Sequence, residues 1–132
     1  MAPWRLLLSL VKLMNFKVAP VKSSITIADL EKIDIRVGTI LTVEDVTDSD
    51  KLVRLIVDFG DHRRNILAGM KQERADPRSI EGKQALFVVN LEARKMMGEL
   101  SEGMLFDIGY ADGVQPVLAV PEGIVPNGTR AG

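Results

Sequence analysis

Two rhythms of apolar and polar residues run along the chain. From Ile33 onward the period is two: Ile33, Ile35, Val37, Thr39, Leu41 and Val43 share one side of an extended segment, as in a strand with one buried face. Gly38 lies inside this run and predicts a bend or bulge there. Val53, Leu55, Val57 and Phe59 repeat the alternation in a second strand, Gly60-Asp61-His62 turns the chain, and Arg64–Ala68 reads as a third strand. Gly69–Gly82 contains Asp76-Pro77, which predicts a turn or short helix. Gln84–Asn90 is a compact apolar fourth strand, 91–103 a polar loop, Met104–Tyr110 a fifth strand and Val114–Val120 a further one. Pro121, Pro126, Asn127-Gly128 and Gly132 mark a turn-rich tail. Ahead of the first strand, Thr26-Ile-Ala-Asp29 has the spacing of a capping box, with Asp in the usual place of Glu or Gln, and predicts a helical turn over 27–32.

The other rhythm is helical and belongs to the first residues. Trp4, Leu6, Leu7, Leu8, Leu10, Val11, Leu13 and Met14 are apolar, while Arg5, Ser9 and Lys12 recur at i, i+4 and i+7. This amphipathic basic pattern has three readings: a surplus extension upstream of a start at Met14, a helix packed on the domain or a partner, or a targeting segment. Ser9 and Lys12 break the apolar stretch that a secretory signal needs. The expected organisation is an N-terminal extension over 1–23 and one domain over 24–132.

Three strands, an irregular connector, two strands and a tail give an all-β chain without βαβ alternation. A five-stranded Greek-key barrel of the OB type, with a short helical connector and a C-terminal extension, has this order. A small sandwich or an SH3-like barrel is the rival from pattern alone. The chain has 132 residues, 46% of them hydrophobic, which suffices for one buried core.

Composition narrows the chemistry. There is no cysteine, so disulfides, thiol nucleophiles and thiolate metal sites are excluded; this fits a cytoplasmic location. His62 is the single histidine and sits in a charged turn, where it reads as a solvated residue. No phosphate-loop, metalloprotease or serine-hydrolase motif occurs, so the chain is read as a non-enzyme that needs no cofactor. Glu44, Asp45, Asp48 and Asp50 lack EF-hand spacing, so residues 44–51 read as a solvated acidic loop and no metal is expected. No apolar run approaches the ~18 residues of a membrane span.

The net charge of -1 is unevenly spread. Residues 1–23 carry four bases and no acid, 24–60 four bases and eight acids, 61–100 eight bases and six acids, and 101–132 one base and four acids. Such a domain does not wrap nucleic acid by bulk charge. Any anion-binding surface is local, and the middle segment is its place.

The stretch Asn90 to Met104 is the candidate. In an OB barrel it links strands four and five, a loop that commonly binds oligonucleotides. Arg94 offers a planar fork for phosphate or a base edge and Lys95 a point charge. Asn90 and Ser101 can donate and accept hydrogen bonds, and Gly98 and Gly103 allow close backbone approach. Met96 and Met97 either pack against a base or sugar or turn inward. By spacing alone, such a stretch is more often a solvated surface than a binding site.

Several motifs in order sharpen this reading. Lys32-Ile-Asp-Ile-Arg-Val-Gly-Thr-Ile40, Asp50-Lys51-Leu52, Val57-Asp-Phe-Gly60, Ile80-Glu-Gly-Lys83 and Asn90-Leu-x-x-Arg-Lys-x-x-Gly-x-x-Ser-x-Gly-Met104 resemble the tRNA-binding domain family. That family includes stand-alone tRNA-binding proteins, the C-terminal domain of bacterial methionyl-tRNA synthetases and CsaA-type export chaperones. The resemblance runs from about Ile25 to Thr129. It implies an OB fold whose C-terminal extension forms a homodimer, and binding of folded tRNA by shape and backbone. Asp50-Lys51-Leu52 and the Asn90–Met104 motif resemble the tRNA-binding branch; the alternative is a CsaA-like chaperone that binds extended polypeptides. On this resemblance the RNA-binding residues are Asn90, Arg94, Lys95, Ser101 and Met104, with Lys51 and Arg36 as outlying contributors; Gly103-Met104 also has a structural reading, closing the loop onto strand five. The chain departs from the family pattern at Ala68, Ala93, Met97 and Glu102, where Ser, Pro, a base and Gln are common. The last two changes weaken phosphate attraction.

Overall fold

The computed structural model describes residues 16–132. The basic amphipathic segment over 4–14, and most of the 1–23 extension, lie outside the described residues. Residues 16–26 are exposed and form neither helix nor strand. The capping box then starts α1 (Ile27–Leu30): Thr26 Oγ1 accepts the Asp29 N–H at 3.1 Å, and the Thr26 N–H reaches Asp29 Oδ2 at 3.4 Å. Both orphan amides of the turn are thereby satisfied. The helix is four residues, shorter than the expected 27–32.

Five strands make the main sheet: β1 (Ile35–Asp45), β2 (Val53–Asp58), β3 (Arg63–Ala68), β4 (Gln84–Val88) and β7 (Met104–Leu105). All neighbours are antiparallel, in the order β3-β2-β1-β4-β7. The sheet curls around a core to which β2 gives Val53, Leu55, Val57 and the following Phe59, the face its alternation predicts. Ile66, Ala85, Phe87 and Leu105 join from the other strands. The connector forms a 3-10 turn over Pro77–Ile80, capped by Asp76 Oδ1, which accepts the Arg78 N–H at 3.1 Å; it delivers Ile80 wholly into the core. Burying each such side chain contributes about 1.5–3 kcal/mol.

The two ends of the strand order, β3 and β7, meet through the residues just before β7. Ser101 Oγ accepts the Leu67 N–H at 3.0 Å, Glu102 Oε1 accepts the Asn65 N–H at 3.1 Å, and the Glu102 N–H donates to Asn65 O at 2.8 Å. Arg64 Nη1 donates to Val89 O at 2.6 Å and Glu102 O at 3.0 Å across the same gap. This seam turns the curled sheet into an OB-like barrel. Gly103 belongs to it: its φ is 151°, and a Cβ would lie 2.9 Å from Val88 O.

Five expectations change. The bulge in β1 falls between Ile40 and Thr42, not at Gly38, and the slip turns Ile40 into the core in place of Thr39 or Leu41. Gly38 is required for space: a Cβ there would sit 2.5 Å from Val57 Cγ1 and 2.9 Å from the Phe59 ring. The fifth strand ends at Leu105, because Gly109 at φ 103° leads into a 3-10 turn over Tyr110–Asp112. Val114–Val120 forms no strand, only the bridge between Ile108 and Val117; Pro116 and Pro121 lack the N–H groups that a ladder there would need. The tail, read as turns alone, ends in β8 (Arg130–Ala131), which pairs with Arg36 and Ile35 at the start of β1.

The fifth change concerns 91–103. It is a β-hairpin, β5 (Arg94–Met96) against β6 (Glu99–Ser101), with Met97-Gly98 as its two-residue turn. Positive φ at both, 50° and 78°, is the sign pattern of a type I′ turn, whose twist matches that of its strands.

Candidate nucleic-acid interface

The hairpin is fastened to the barrel along one face. In its register Arg94 opposes Ser101, Lys95 opposes Leu100 and Met96 opposes Glu99. Ser101 is 4% exposed and holds the Leu67 amide while its own hydroxyl donates to Gly103 O at 3.1 Å. Glu99 binds Arg54 Nη1, and Arg54 Nε donates to Glu44 Oε1 at 3.0 Å. Arg54 on β2 thus bridges the neighbouring strand and the hairpin, and its two carboxylate partners hold its guanidinium above its usual pKa. The outward-pointing Leu67 of β3, only 7% exposed, is consistent with cover from this arm. Residues 94–101 therefore form a held arm, with Lys95 and Leu100 together on the face away from Ser101 and Glu99.

Arg94 and Lys95 are exposed, and among the described residues neither has an ion-pair partner. The two acids that follow them are engaged: Glu99 with Arg54, and Glu102 with the Asn65 amide. Glu92 precedes the arm and is exposed. Exposed Met97, Leu100 and Met104 add apolar surface around the two bases.

The other sequence-derived residues have different surroundings. Asn90 Oδ1 accepts the Asp34 N–H at 2.9 Å and its amide donates to Lys32 O at 2.6 Å, so it ties the end of β4 to the approach of β1. Arg36 grips Asp34 bidentately, at 3.1 and 3.0 Å, and this fork holds the Asp34 carboxyl below the usual carboxylate range. Arg130 adds a longer contact to the same carboxylate at 3.6 Å. Lys51 is exposed at the other end of the barrel, in the loop between β1 and β2. Met104 lies on β7 beside Val88. The structure groups Arg94, Lys95 and Ser101 on one arm and sets Asn90 and Arg36 in a separate cluster, while Lys51 lies in the β1–β2 loop. Glu99, Arg54 and Glu44 were missed as positioning residues. Their one sequence signal is three charged residues at the strand ends, visible only once the register is known.

An open cleft of about 640 Å³ lies between the end of β1 and the connector, lined in part by Val43, Asp45, Lys71, Arg74 and Arg78. Its cations are largely paired. The Lys71 ammonium binds Asp45 and donates to Val46 O at 2.9 Å and Ser49 O at 2.6 Å, filling the concave side of the acidic loop. Arg78 faces Glu81 at 3.7 Å. Burial raises the carboxyl pKa of Glu73 and of Asp107, and the Asp107 charge raises that of Glu73 further. His62 is exposed, as its charged turn predicts, and is also held there: Nδ1 meets Asp61 at 2.6 Å, Nε2 accepts from Arg64 at 3.0 Å, and the ring stacks on Phe59.

The family model of the tRNA binding domain matches residues 35–130. The methionine–tRNA ligase of Archaeoglobus fulgidus is 41% identical over 109 residues, covering 83% of this chain and 16% of the ligase; that of Parabacteroides distasonis is 37% identical, again over 16% of its length. Among solved structures, a methionyl-tRNA-synthetase-related protein from Pyrococcus horikoshii superposes with a TM-score of 0.76 at 32% identity, covering 83% of this chain and 99% of that one. The chaperone CsaA from Bacillus anthracis gives 0.71 at 27% identity, over 83% of this chain and all of that one. The chain thus spans about a sixth of the curated ligases but nearly the whole of these small proteins.

Proposed function

The chain belongs to the tRNA binding domain family, and on that premise we propose that it binds folded tRNA without catalysing a reaction. In this reading Arg94 and Lys95 neutralise backbone phosphates, as a fork and a point charge. Ser101 and Asn90 act beneath them by fixing the hairpin and the β1 approach, and Met104, Lys51 and Arg36 contribute at the margins. The observation that carries the reading is the anchored arm with two exposed bases, beside which Glu99 and Glu102 are engaged elsewhere. An unpaired cation on a fixed support pays little ordering entropy when it meets a phosphate.

The domain is read as a cytoplasmic homodimer. Phe106, Ile108, Tyr110, Val117, Val120 and Ile124 after β7 are all exposed, and a second copy covers such a face in a self-complementary way. Sedimentation equilibrium checks this against the 14.5 kDa chain mass; a monomer at tens of micromolar rejects it. A CsaA-like role is the second reading, favoured by the likeness to that chaperone and by the same apolar face as a polypeptide site.

Salt-dependent binding of bulk tRNA, run beside duplex DNA of similar charge and an aggregation-suppression assay, separates the readings. Tighter binding of tRNA than DNA, with a linear fall of log K against log salt, supports the proposal. Equal weak binding of both, with suppression of aggregation, favours the chaperone.

A further inference from the structure

Among the described residues Met97 is the one non-glycine with positive φ, at 50°. Its place, the first position of a type I′ turn, is one that Asn, Asp and Gly fill without strain. A long unbranched apolar side chain is a poor choice there for the backbone. It is a poor choice for packing too, since Met97 is 57% exposed and belongs to no core cluster. The arm that holds it does not yield, because Glu99 and Ser101 fasten the strand that follows it. Neither folding nor burial explains the residue, so a contact beyond the chain is the remaining physical account.

Its neighbours define that contact. Lys95 and Arg94 precede it on β5, and exposed Leu100 faces Lys95 across the hairpin. Two cations and an apolar tip within one arm match a strand of nucleic acid, whose phosphates alternate with apolar ribose and base faces. We propose that Met97 is a docking residue for RNA: its thioether side chain lies against the face of an unpaired base or its ribose while Arg94 and Lys95 hold the flanking phosphates. The proposal rests on the tRNA-binding reading and adds to it an apolar, salt-independent contact at a single-stranded feature of the RNA. Methionine suits this use because its flexible, polarisable chain adapts to irregular surfaces, and base faces accept apolar partners without regard to sequence.

The test uses the full chain and bulk tRNA at several salt concentrations, with a thermal melt for each variant. Met97→Asn and Met97→Gly relieve the turn, so both are expected to melt at or above the wild-type temperature. Both are expected to bind tRNA roughly tenfold more weakly, the share of a buried Met side chain, with the log K against log salt slope unchanged, because no phosphate contact is lost. Met97→Leu keeps the apolar bulk and is expected to hold within about threefold of wild type. Wild-type affinity in the Asn and Gly variants overturns the proposal alone. So does a flattened slope, which means that the turn merely places the two bases. Loss of aggregation suppression with unchanged tRNA affinity also overturns it and assigns the tip to polypeptides. No tRNA binding by the wild-type chain removes the tRNA reading itself, and this inference with it.

Discussion

Arg64 and Arg94 carry the same guanidinium in two regions that use it oppositely. At the barrel seam Arg64 lies over the Phe59 ring, 5.9 Å from its centroid, and donates to two carbonyls, one just past β4 and one just past β6. Its charge is turned inward and its donors are engaged by the fold. On the arm Arg94 has no such partner among the described residues and stands in solvent. The difference shows why a count of bases, or the net charge of -1, says little about anion binding here. What matters is which cations the fold leaves unengaged, and whether the element that carries them is fixed.

The comparison breaks most sharply at the seam. Arg64→Ala leaves the Val89 and Glu102 carbonyls without their donor and is expected to cost about 2–4 kcal/mol, a fall of roughly 10 °C in Tm. Measured well below that temperature, the salt slope of tRNA binding should not change. An equal loss of slope would place Arg64 at the RNA. Next in size is the double change Arg94→Ala, Lys95→Ala. Near 0.1 M salt it is expected to weaken tRNA binding on the order of tenfold to fortyfold and to flatten the log–log slope by about 1.4–1.8, at 0.7–0.9 per phosphate contact. Its Tm should stay within a degree or two, since exposed bases hold little of the fold. An unaltered slope would move the RNA site off the arm.

Glu99→Gln probes the link between the regions. It weakens the Arg54 tether while the Ser101 pin stays, so a twofold to threefold loss of tRNA affinity is expected, with a stability change below about 1 kcal/mol. Tighter binding would mean that the charge of Glu99, and not its grip on Arg54, governs the arm. The smallest effect belongs to the Asp34–Arg36 fork. Its carboxyl titrates below the ordinary 3.8 in the folded chain. The contribution is therefore complete above that value and lost as pH falls through the lower folded one. Wild type is expected to out-melt Asp34→Asn above pH 5 by less than about 1 kcal/mol. The gap should close below about pH 4, and a gap independent of pH would refute a charge origin.

The sequence was informative where one face of a strand is buried. β2 alternates cleanly, and its inward residues are the ones its period predicts. The capping box and the Asp76-Pro77 turn are local hydrogen-bonding units, so they too could be read without tertiary context. β1 was half legible: its length was clear, but a bulge placed by pairing with β2 shifted Ile40 inward. The hairpin was hidden because its turn uses Met-Gly where Asn-Gly would have announced it, and because three-residue strands carry too little alternation to detect. The candidate site followed the same division. Arg94 and Lys95 were visible as adjacent bases in a motif, whereas the Glu44–Arg54–Glu99 tether exists only through register. The end of the chain misled for a related reason: Val114–Val120 is apolar enough for a strand, but its prolines cannot supply the ladder.

The pairing of β8 has a consequence for how the molecule is made. Beside the first residues of β1 it takes the side that β2 occupies further along, and residues 128–129 extend it through bonds to the Val37 backbone at 2.7 and 2.9 Å. Ile35 and Ala131 are thus partners across almost the whole described chain. Contacts of such long sequence separation form late, after nearer pairings have repaid their loop-closure entropy. On the ribosome, β1 to β4 can curl together while the opening of β1 stays a bare edge with open amides and carbonyls. Until the tail arrives, that edge is where a nascent copy can pair with another.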